Sequence, residues 1–351
     1  MIEAILHDSR TASEGLPIRR RSVGGWRSRV LRSPVELEPA ALEVADANAS
    51  PPYLFELDVA EGRRLLDEIQ HDGVGPDAEI VDLAVPGGPN GSVPVRIVRP
   101  MDAVGELPVV LYLHGGGWVF GGKVTHDRLI REIAAGSRAA VVFADYHRSP
   151  EVRYPSHIEE CWTVARWVVE RGEAHDLDGS RVAVAGDGVG GNMAAALTLM
   201  ATLCGGVELA AQALFYPVTD ASFDTKSYHR FAEGYSLRRD EMRWFWDQYT
   251  IDERRRAEVT ASPLRATLEQ LSRVPRALVV TAEADVVRDE GEAYARRLRA
   301  AGVDVFAVRY DGVIHDFMTL NALRRTNAAR AAVTQAGAFL RHALHTHEGG
   351  A

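Results

Sequence analysis

The sequence has little cysteine and no long apolar run, and both shortages exclude whole classes of protein. Cys161 and Cys204 are the two cysteines among 351 residues, so neither a disulfide framework nor the cysteine spacing of a zinc site is present. No apolar stretch approaches the roughly 18 residues that cross a membrane, and the N-terminus lacks the apolar core of a signal peptide. We expect a cytoplasmic protein with no cofactor, no metal and no membrane partner.

Basic residues are also fewer than acidic residues. The chain carries 40 Lys and Arg against 49 Asp and Glu, for a formal net charge of -9. Because nucleic-acid-binding proteins present a basic surface, this balance argues against nucleic acid as a partner. The 46% apolar and 25% charged residues are typical of a globular protein with one large domain and an accessory piece.

The two ends of the chain differ from the rest. Residues 1–34 contain seven arginines, few acids and no sustained period, which predicts a poorly ordered leader; a nucleic-acid or membrane arm is the alternative. Residues 342–351 are predicted to be a frayed end. We expect a single domain between them, over residues 35–345.

Short β-branched runs alternate with longer amphipathic stretches along this domain. Such alternation predicts βαβ units and therefore an α/β fold with a mostly parallel, doubly wound sheet. Right-handed crossovers would place the carboxyl ends of the strands along one edge. The predicted strands are residues 93–98, 109–114, 140–146, 182–185, 211–215, 277–281 and 305–310, and the predicted helices are 125–135, 157–171, 192–203, 289–300 and 326–342.

Two regions fall outside the alternation. Residues from about 35 to 72, with their clearest helix at 56–69, precede the first predicted strand, and an aromatic-rich insert runs from about 216 to 250. Because an insert after a strand lies over the edge where ligands bind, we predict that the two pieces form a helical cap. The alternative is that the aromatic residues only pack the insert onto the body.

A glycine run follows one predicted strand directly. His114 is followed by Gly115, Gly116 and Gly117, and glycines let backbone N–H groups converge where a Cβ would obstruct them. Converging N–H donors are what a developing oxyanion needs. An HGGG sequence after a strand is typical of the oxyanion loop of lipases and esterases.

A second glycine-rich turn lies where a catalytic serine would be expected. Residues 186–191 read G-D-G-V-G-G between a predicted strand and a predicted helix, which is the setting of a G-x-S-x-G nucleophile elbow. Gly188 occupies the serine position. A glycine relieves the backbone strain of an elbow and leaves space for one hydroxymethyl group.

An acid and a base follow the turn in the expected order. Asp285 comes after the predicted strand 277–281, and His315 comes after the predicted strand 305–310. The order nucleophile position, acid, base is that of α/β-hydrolases, in which the acid holds the tautomer of the imidazole that accepts a proton. The nearby carboxylates Asp289, Glu290 and Asp316 are interpreted as structural or solvated.

Together these motifs resemble the hormone-sensitive-lipase family of bacterial carboxylesterases, which includes acetyl esterases and arylacetamide-deacetylase-like enzymes. The resemblance implies the α/β-hydrolase fold, oxyanion donors at Gly116, Gly117 and Val189, and Asp285 and His315 as acid and base. It also implies a two-part cap over residues 35–72 and 216–250. The matching segments are residues 114–118, 145–146, 150–151, 186–191, 285, 288–291 and 312–317.

The main departure from the family is Gly188, because it replaces the serine and closes the covalent acyl-enzyme route. Nothing in the sequence aims Asp187, Ser149 or Cys161 at His315 as a substitute nucleophile. Three interpretations stay open: an enzyme that polarises a carbonyl and transfers protons without a covalent intermediate, a short-chain esterase inactivated by a Ser-to-Gly change, and a non-catalytic ligand-binding protein.

The resemblance also indicates what the site binds. The partner is a small molecule with an ester or other carbonyl group, and the predicted reactions without a serine are elimination or dehydration, cyclisation and water-mediated hydrolysis. Trp118, Tyr216, Phe231 and Tyr235 are the predicted substrate contacts. The outer strand 305–310 leaves a homodimer open as an assembly.

Overall fold

The computed structural model describes residues 35–346, which contain one eight-stranded sheet with the strand order β1-β2-β4-β3-β5-β6-β7-β8. Strands β3 to β8 run parallel, and β1 and β2 form an antiparallel pair at one edge. The strands are β1 (Ala78–Pro86), β2 (Ser92–Pro100), β3 (Leu107–Leu113), β4 (Ala140–Ala144), β5 (Leu177–Asp187), β6 (Ala211–Phe215), β7 (Arg276–Ala284) and β8 (Val305–Ile314).

Helices cover both faces of this sheet. Helix α3 packs with α11, and α4 packs with α5, which also contacts β5 and β6. The helices are α1 (Pro39–Ala47), α2 (Val59–Gln70), α3 (Asp127–Ser137), α4 (Ser156–Arg171), α5 (Val189–Cys204), α6 (Lys226–Arg230), α7 (Arg239–Tyr249), α8 (Glu253–Arg256), α9 (Leu268–Leu271), α10 (Arg288–Ala300) and α11 (Asn327–His345). The predicted α/β fold with a mostly parallel sheet is confirmed.

The central strands are apolar along their whole length because helices cover them on both sides. Every residue of β3, β4 and β6 is buried. Helix α5 is buried from Val189 to Leu199 and is rich in alanine and glycine, which lets it lie close to the sheet. This rigid centre carries the turns at the carboxyl ends of β3, β5, β7 and β8.

The sequence-based prediction missed the first strand and shortened the last helix. Strand β1 alternates exposed and half-buried residues and pairs only with β2 at the sheet edge, so it lacks the buried apolar run of its neighbours. Helix α11 continues to His345, into the segment 342–351 predicted to fray, because Leu344 is buried and His345 bonds the Ser137 carbonyl at 3.1 Å. The predictions for residues 1–34 and 347–351 lie outside the described residues.

Two helical segments lie outside the alternation of strands and helices, and their role as a cap stays a prediction. Helices α1 and α2 precede β1, and the insert between β6 and β7 contains α6 to α9, so its last helix ends at Leu271 rather than near residue 250. Strand β8 is an edge strand, and the homodimer stays a prediction. Within residues 35–346, no helix is both long and apolar enough to cross a bilayer.

Candidate active site

The turn between β5 and α5 has a tightly held backbone at Gly188. Its φ of 52° and ψ of −117° lie in a region that disfavours side chains. The Gly188 N–H donates to the Phe215 carbonyl at 2.9 Å, and its own carbonyl accepts from Val218 at 3.1 Å and Asn192 at 3.2 Å. Hydrogen bonds from three segments therefore hold this residue at the end of the sheet.

Two side chains from neighbouring strand ends meet in front of this turn. His315 Nδ1 lies 2.8 Å from Asp285 Oδ2, and the other Asp285 oxygen accepts the N–H of Val287 at 3.0 Å. The opposite ring nitrogen, Nε2, lies 3.3 Å from the point where a Cβ on Gly188 would be. The acid, the base and the elbow are thus brought together as the sequence predicts.

Asp316 is closer to the imidazole than the sequence indicated. Its Oδ1 lies 3.5 Å from His315 Nε2, so it is next to the site, and the interpretation of Asp316 as a structural or solvated carboxylate stays a prediction. It reaches the ring because its backbone is left-handed, with φ 60°, which turns the side chain back toward its neighbour. Nearly full burial lowers the pKa of His315, but the charges of Asp285 and Asp316 outweigh it and raise this pKa to about 9.

The glycine loop after β3 supplies amide donors. Gly116 and Gly117 have positive φ values of 96° and 64°, and among residues 35–346 no acceptor bonds either N–H. The N–H of Val189 belongs to the first turn of α5, where helix donors lack partners within the helix. A Cβ on Gly117 would overlap the Phe245 ring, so the cap helix α7 lies directly against this loop.

A buried carboxylate that the sequence analysis set aside connects the parts of the site. Asp187 accepts hydrogen bonds from Tyr112 Oη at 2.7 Å, the Gly115 N–H at 3.2 Å and Thr319 Oγ1 at 3.3 Å, and His126 Nε2 lies 3.2 Å away. These four partners belong to β3, the oxyanion loop, the segment after His315 and the turn before α3. Asp187 therefore positions these loops relative to one another.

Asp187 and His126 in this network shift each other's pKa values. Burial raises the pKa of Asp187, yet His126 and the hydroxyl and imidazole hydrogen bonds hold it below its usual range. Burial lowers the pKa of His126, but the Asp187 charge raises it above its ordinary value. Asp187 and His126 are thus buried against each other, and each favours the charged form of the other. The sequence alone did not indicate this contact, because it depends on residue 126 lying next to the end of β5.

Glu241 is another residue that the sequence analysis missed. It is buried in α7, four residues before Phe245, and therefore on the same helix face. Burial raises its pKa to about 7, the charge of Asp316 adds to this, and His315 opposes it. Its Oε2 accepts the Arg238 N–H at 3.4 Å, so it also caps the start of α7. The available signal was its i, i+4 spacing to an aromatic residue in the insert.

The four residues predicted to contact the substrate lie in different parts of the structure. The ring of Tyr216 lies 4.9 Å from that of His315, and its hydroxyl is 2.8 Å from that of Thr319. Trp118 is fully buried and stacks on Tyr249 at 3.8 Å. Phe231 packs against Tyr235 at 5.0 Å, under the guanidinium of Arg288. Among the described residues, Tyr216 is the only one of these four aromatic residues whose ring contacts the ring of His315. That each of the four contacts the substrate stays a prediction.

The other nucleophile candidates lie outside the site. Ser149 Oγ is buried 3.1 Å from His157 Nε2, not near His315. Cys161 is buried, and burial raises the pKa of its thiol, which disfavours the reactive thiolate. Among the described residues no group of three or more His, Cys, Asp or Glu side chains is arranged to hold a metal ion.

Comparisons with known proteins agree with this geometry. A family described as the α/β hydrolase fold matches residues 110–319. Carboxylesterase NlhH of Mycobacterium tuberculosis is 38% identical over 257 residues, covering 72% of this chain and 79% of that relative. Ethyl acetate hydrolase of Pseudomonas putida is 36% identical over 299 residues, covering 81% and 92%.

Solved esterase structures also match the chain. The crystal structure of a thermostable esterase from Pseudomonas putida matches with a TM-score of 0.85 and 45% identity, over 90% of this chain and 99% of that chain. The chain therefore belongs to the α/β-hydrolase-fold family and has a carboxylesterase-like scaffold.

Proposed function

We propose that this protein acts on a small ester or other carbonyl compound by proton transfer, without a covalent acyl-enzyme intermediate. The observation that carries the proposal is the juxtaposition of Gly188, which has no side chain, with the Nε2 atom of His315, 3.3 Å from its Cβ position. In the relatives' family this position holds the nucleophilic serine. Here the space in front of His315 is free for a water molecule or for part of the substrate.

The surrounding groups support a mechanism that polarises a carbonyl. Its oxygen accepts hydrogen bonds from the N–H groups of Gly116, Gly117 and Val189, which stabilise negative charge as it develops. His315 then removes a proton from a water molecule or from the carbon next to the carbonyl, and Asp285 stabilises the resulting imidazolium. Elimination, cyclisation and water-mediated hydrolysis all use this step.

The raised pKa of His315 has a consequence for the rate. Because the imidazole is protonated below a pH of about 9, only a minor fraction is in the basic form at neutral pH. We therefore expect activity to rise with pH until about 9. Glu241 in helix α7 is a second group near His315 that titrates in this pH range, because its pKa is raised to about 7.

An inactivated short-chain esterase is the second candidate. It is favoured by the intact acid–base pair, the unbonded amides of Gly116 and Gly117, and relatives named as an ethyl acetate hydrolase and carboxylesterases. The third candidate, a non-catalytic binding protein, gives no reason to retain a buried His315–Asp285 pair, since burying charged groups costs free energy.

The test restores the missing side chain with Gly188→Ser. A Cβ at this position meets only His315, at 3.3 Å from Nε2 and 3.9 Å from Cε1, so the serine fits with a small shift of the ring. The backbone strain costs on the order of 1–3 kcal/mol, and the variant should fold. Hydrolysis of p-nitrophenyl acetate and butyrate is then compared between the parent and Gly188→Ser.

The outcomes separate the candidates. If Gly188→Ser folds, as judged by circular dichroism, and remains inactive on both esters, the site has been adapted to other chemistry and the proposal stands. An increase of about 10³-fold or more, abolished in Gly188→Ser/His315→Ala, would favour the inactivated esterase. A parent that shows no turnover in a screen of carbonyl compounds would contradict the proposal.

A further inference from the structure

A basic groove lies between α3 and α11, and its lining residues do not overlap the acid, base or oxyanion donors. It has a volume of about 790 Å³. Its charged and titratable lining consists of four arginines, two histidines and a single glutamate: Arg128, Arg324, Arg330, Arg341, His342, His345 and Glu132. With the histidines neutral this lining carries a net charge of +3, on a chain whose formal net charge is -9.

The packing of the two helices creates the groove. Helices α3 and α11 approach closely at Gly136 and Gly337, where a Cβ on Gly337 would lie 2.9 Å from the Gly136 Cα. Larger side chains elsewhere on α11, including Val333 and Thr334, border the groove. A volume of this size lies within the usual range of 300–1,000 Å³ for small-molecule sites.

Arg128 lines the groove with a positive charge that hydrogen bonds hold in one position. Arg128 is 3% exposed, and its guanidinium is held by the carbonyls of Met318 at 2.6 Å and Thr319 at 2.9 Å and by Asn321 Oδ1 at 2.7 Å. Glu132 pairs with it at 2.6 Å. The single acid of the lining is therefore engaged by Arg128 and leaves the other cations uncompensated.

The remaining arginines are available to a ligand. Within residues 35–346, the side chains of Arg330 and Arg341 have no hydrogen-bond or ion-pair partner, and both residues are exposed. The helix dipole explains cations near the end of α11, such as Arg341 and His342. It does not explain Arg330 in its first turn or Arg324 just before it, because positive charge is unfavourable there.

We propose that this groove binds a small polyanion that carries at least two phosphate or carboxylate groups. Arginine side chains bind both groups through paired, charge-assisted hydrogen bonds. A small molecule fits better than a nucleic acid, because the acidic remainder of the chain would repel a polymer that extended beyond the groove.

Isothermal titration calorimetry with tripolyphosphate and with citrate tests the proposal at low salt. The variant is Arg330→Gln/Arg341→Gln, two exposed positions whose loss should leave the fold intact. The matched control is Arg64→Gln/Arg166→Gln, which removes the same charge from α2 and α4, where each arginine pairs, within residues 35–346, only with a glutamate four residues on. The two probes distinguish a phosphate ligand from a carboxylate ligand.

We expect saturable binding of one probe to the parent and to the control. The groove variant should weaken this binding about tenfold or more, since it removes two charge-assisted contacts. No saturable heat with either probe would overturn the proposal. Equal weakening in the two double variants would also overturn it, because it would show diffuse attraction rather than a site.

Discussion

The conformation of single residues decides what this site can do. Gly188 keeps the backbone that presents a nucleophile, and His315 keeps its acid partner at 2.8 Å. The left-handed backbone of Asp316 places a second carboxylate 3.5 Å from the opposite ring nitrogen. The imidazole thus lies between two negative charges, which favours its protonated form.

Replacing Asp316 with Asn tests this arrangement. Removing the second carboxylate should lower the pKa of His315 below its value of about 9, because Asp285 then stabilises the imidazolium alone. The measurement is an NMR titration of the His315 ring. Asp311→Asn, at an exposed position on β8, is the control and should leave the pKa unchanged. An equal pKa in Asp316→Asn and the parent would show that Asp316 does not act on the ring.

At the scale of elements, α7 connects the cap to the oxyanion loop. Phe245 is 5% exposed and lies against Gly117, and its ring packs edge-on against Phe120 at 5.9 Å. The helix therefore packs directly against Gly117 of the glycine loop. Phe245 is one of several aromatic residues that pack α7 onto the rest of the molecule; Trp246 and Tyr249 pack against Trp118.

Phe245→Ala should therefore destabilise the protein. Loss of a buried phenyl ring typically costs about 3–5 kcal/mol, and this change also leaves a cavity above Gly117. The free energy of unfolding can be measured by urea titration. Phe306→Ala, at a residue that is 51% exposed on β8, should cost about 1 kcal/mol or less. Similar losses in the two variants would mean that α7 does not depend on Phe245.

Much of the fold could be predicted from the sequence because the central strands are continuous apolar runs. Strand β6 matches its predicted bounds, residues 211–215, whereas β1, with its alternating exposure, left no such signal. The acid, the base and the glycine turns follow strands directly, so their meeting could be predicted. The contacts of Asp187 and Glu241 could not, because they depend on loops and a cap helix distant in sequence.

At the scale of the whole molecule, charge is distributed unevenly. Four acids lie near His315, while the basic groove between α3 and α11 carries a net positive lining; the acids are Asp187, Asp285, Asp316 and Glu241. Arg128 belongs to the groove and also holds the carbonyls of Met318 and Thr319, which follow His315 in the chain. The two regions therefore share one structural element, the loop after His315.

The buried histidines also make overall stability depend on pH. A folded pKa of about 9 for His315, against 6.5 in the unfolded chain, stabilises the protein fully below pH 6.5, and this stabilisation is lost as pH rises through about 9. His126, whose pKa is also raised, acts in the same direction. Burial lowers the pKa values of His114 and His157, so these two residues act in the opposite direction, and most of their effect lies below pH 6.5.

We therefore expect the free energy of unfolding to fall between pH 6.5 and about 9.5, by on the order of 3 kcal/mol from His315. Urea titrations at several pH values measure this fall. In His315→Gln the slope should be smaller, because the contribution of His315 is removed and His126 and Glu241 remain as groups with raised pKa values, although the variant is less stable overall with Asp285 unpaired. A parent whose stability is constant or increases over this range would show that the His315 imidazolium is not stabilised by the two carboxylates.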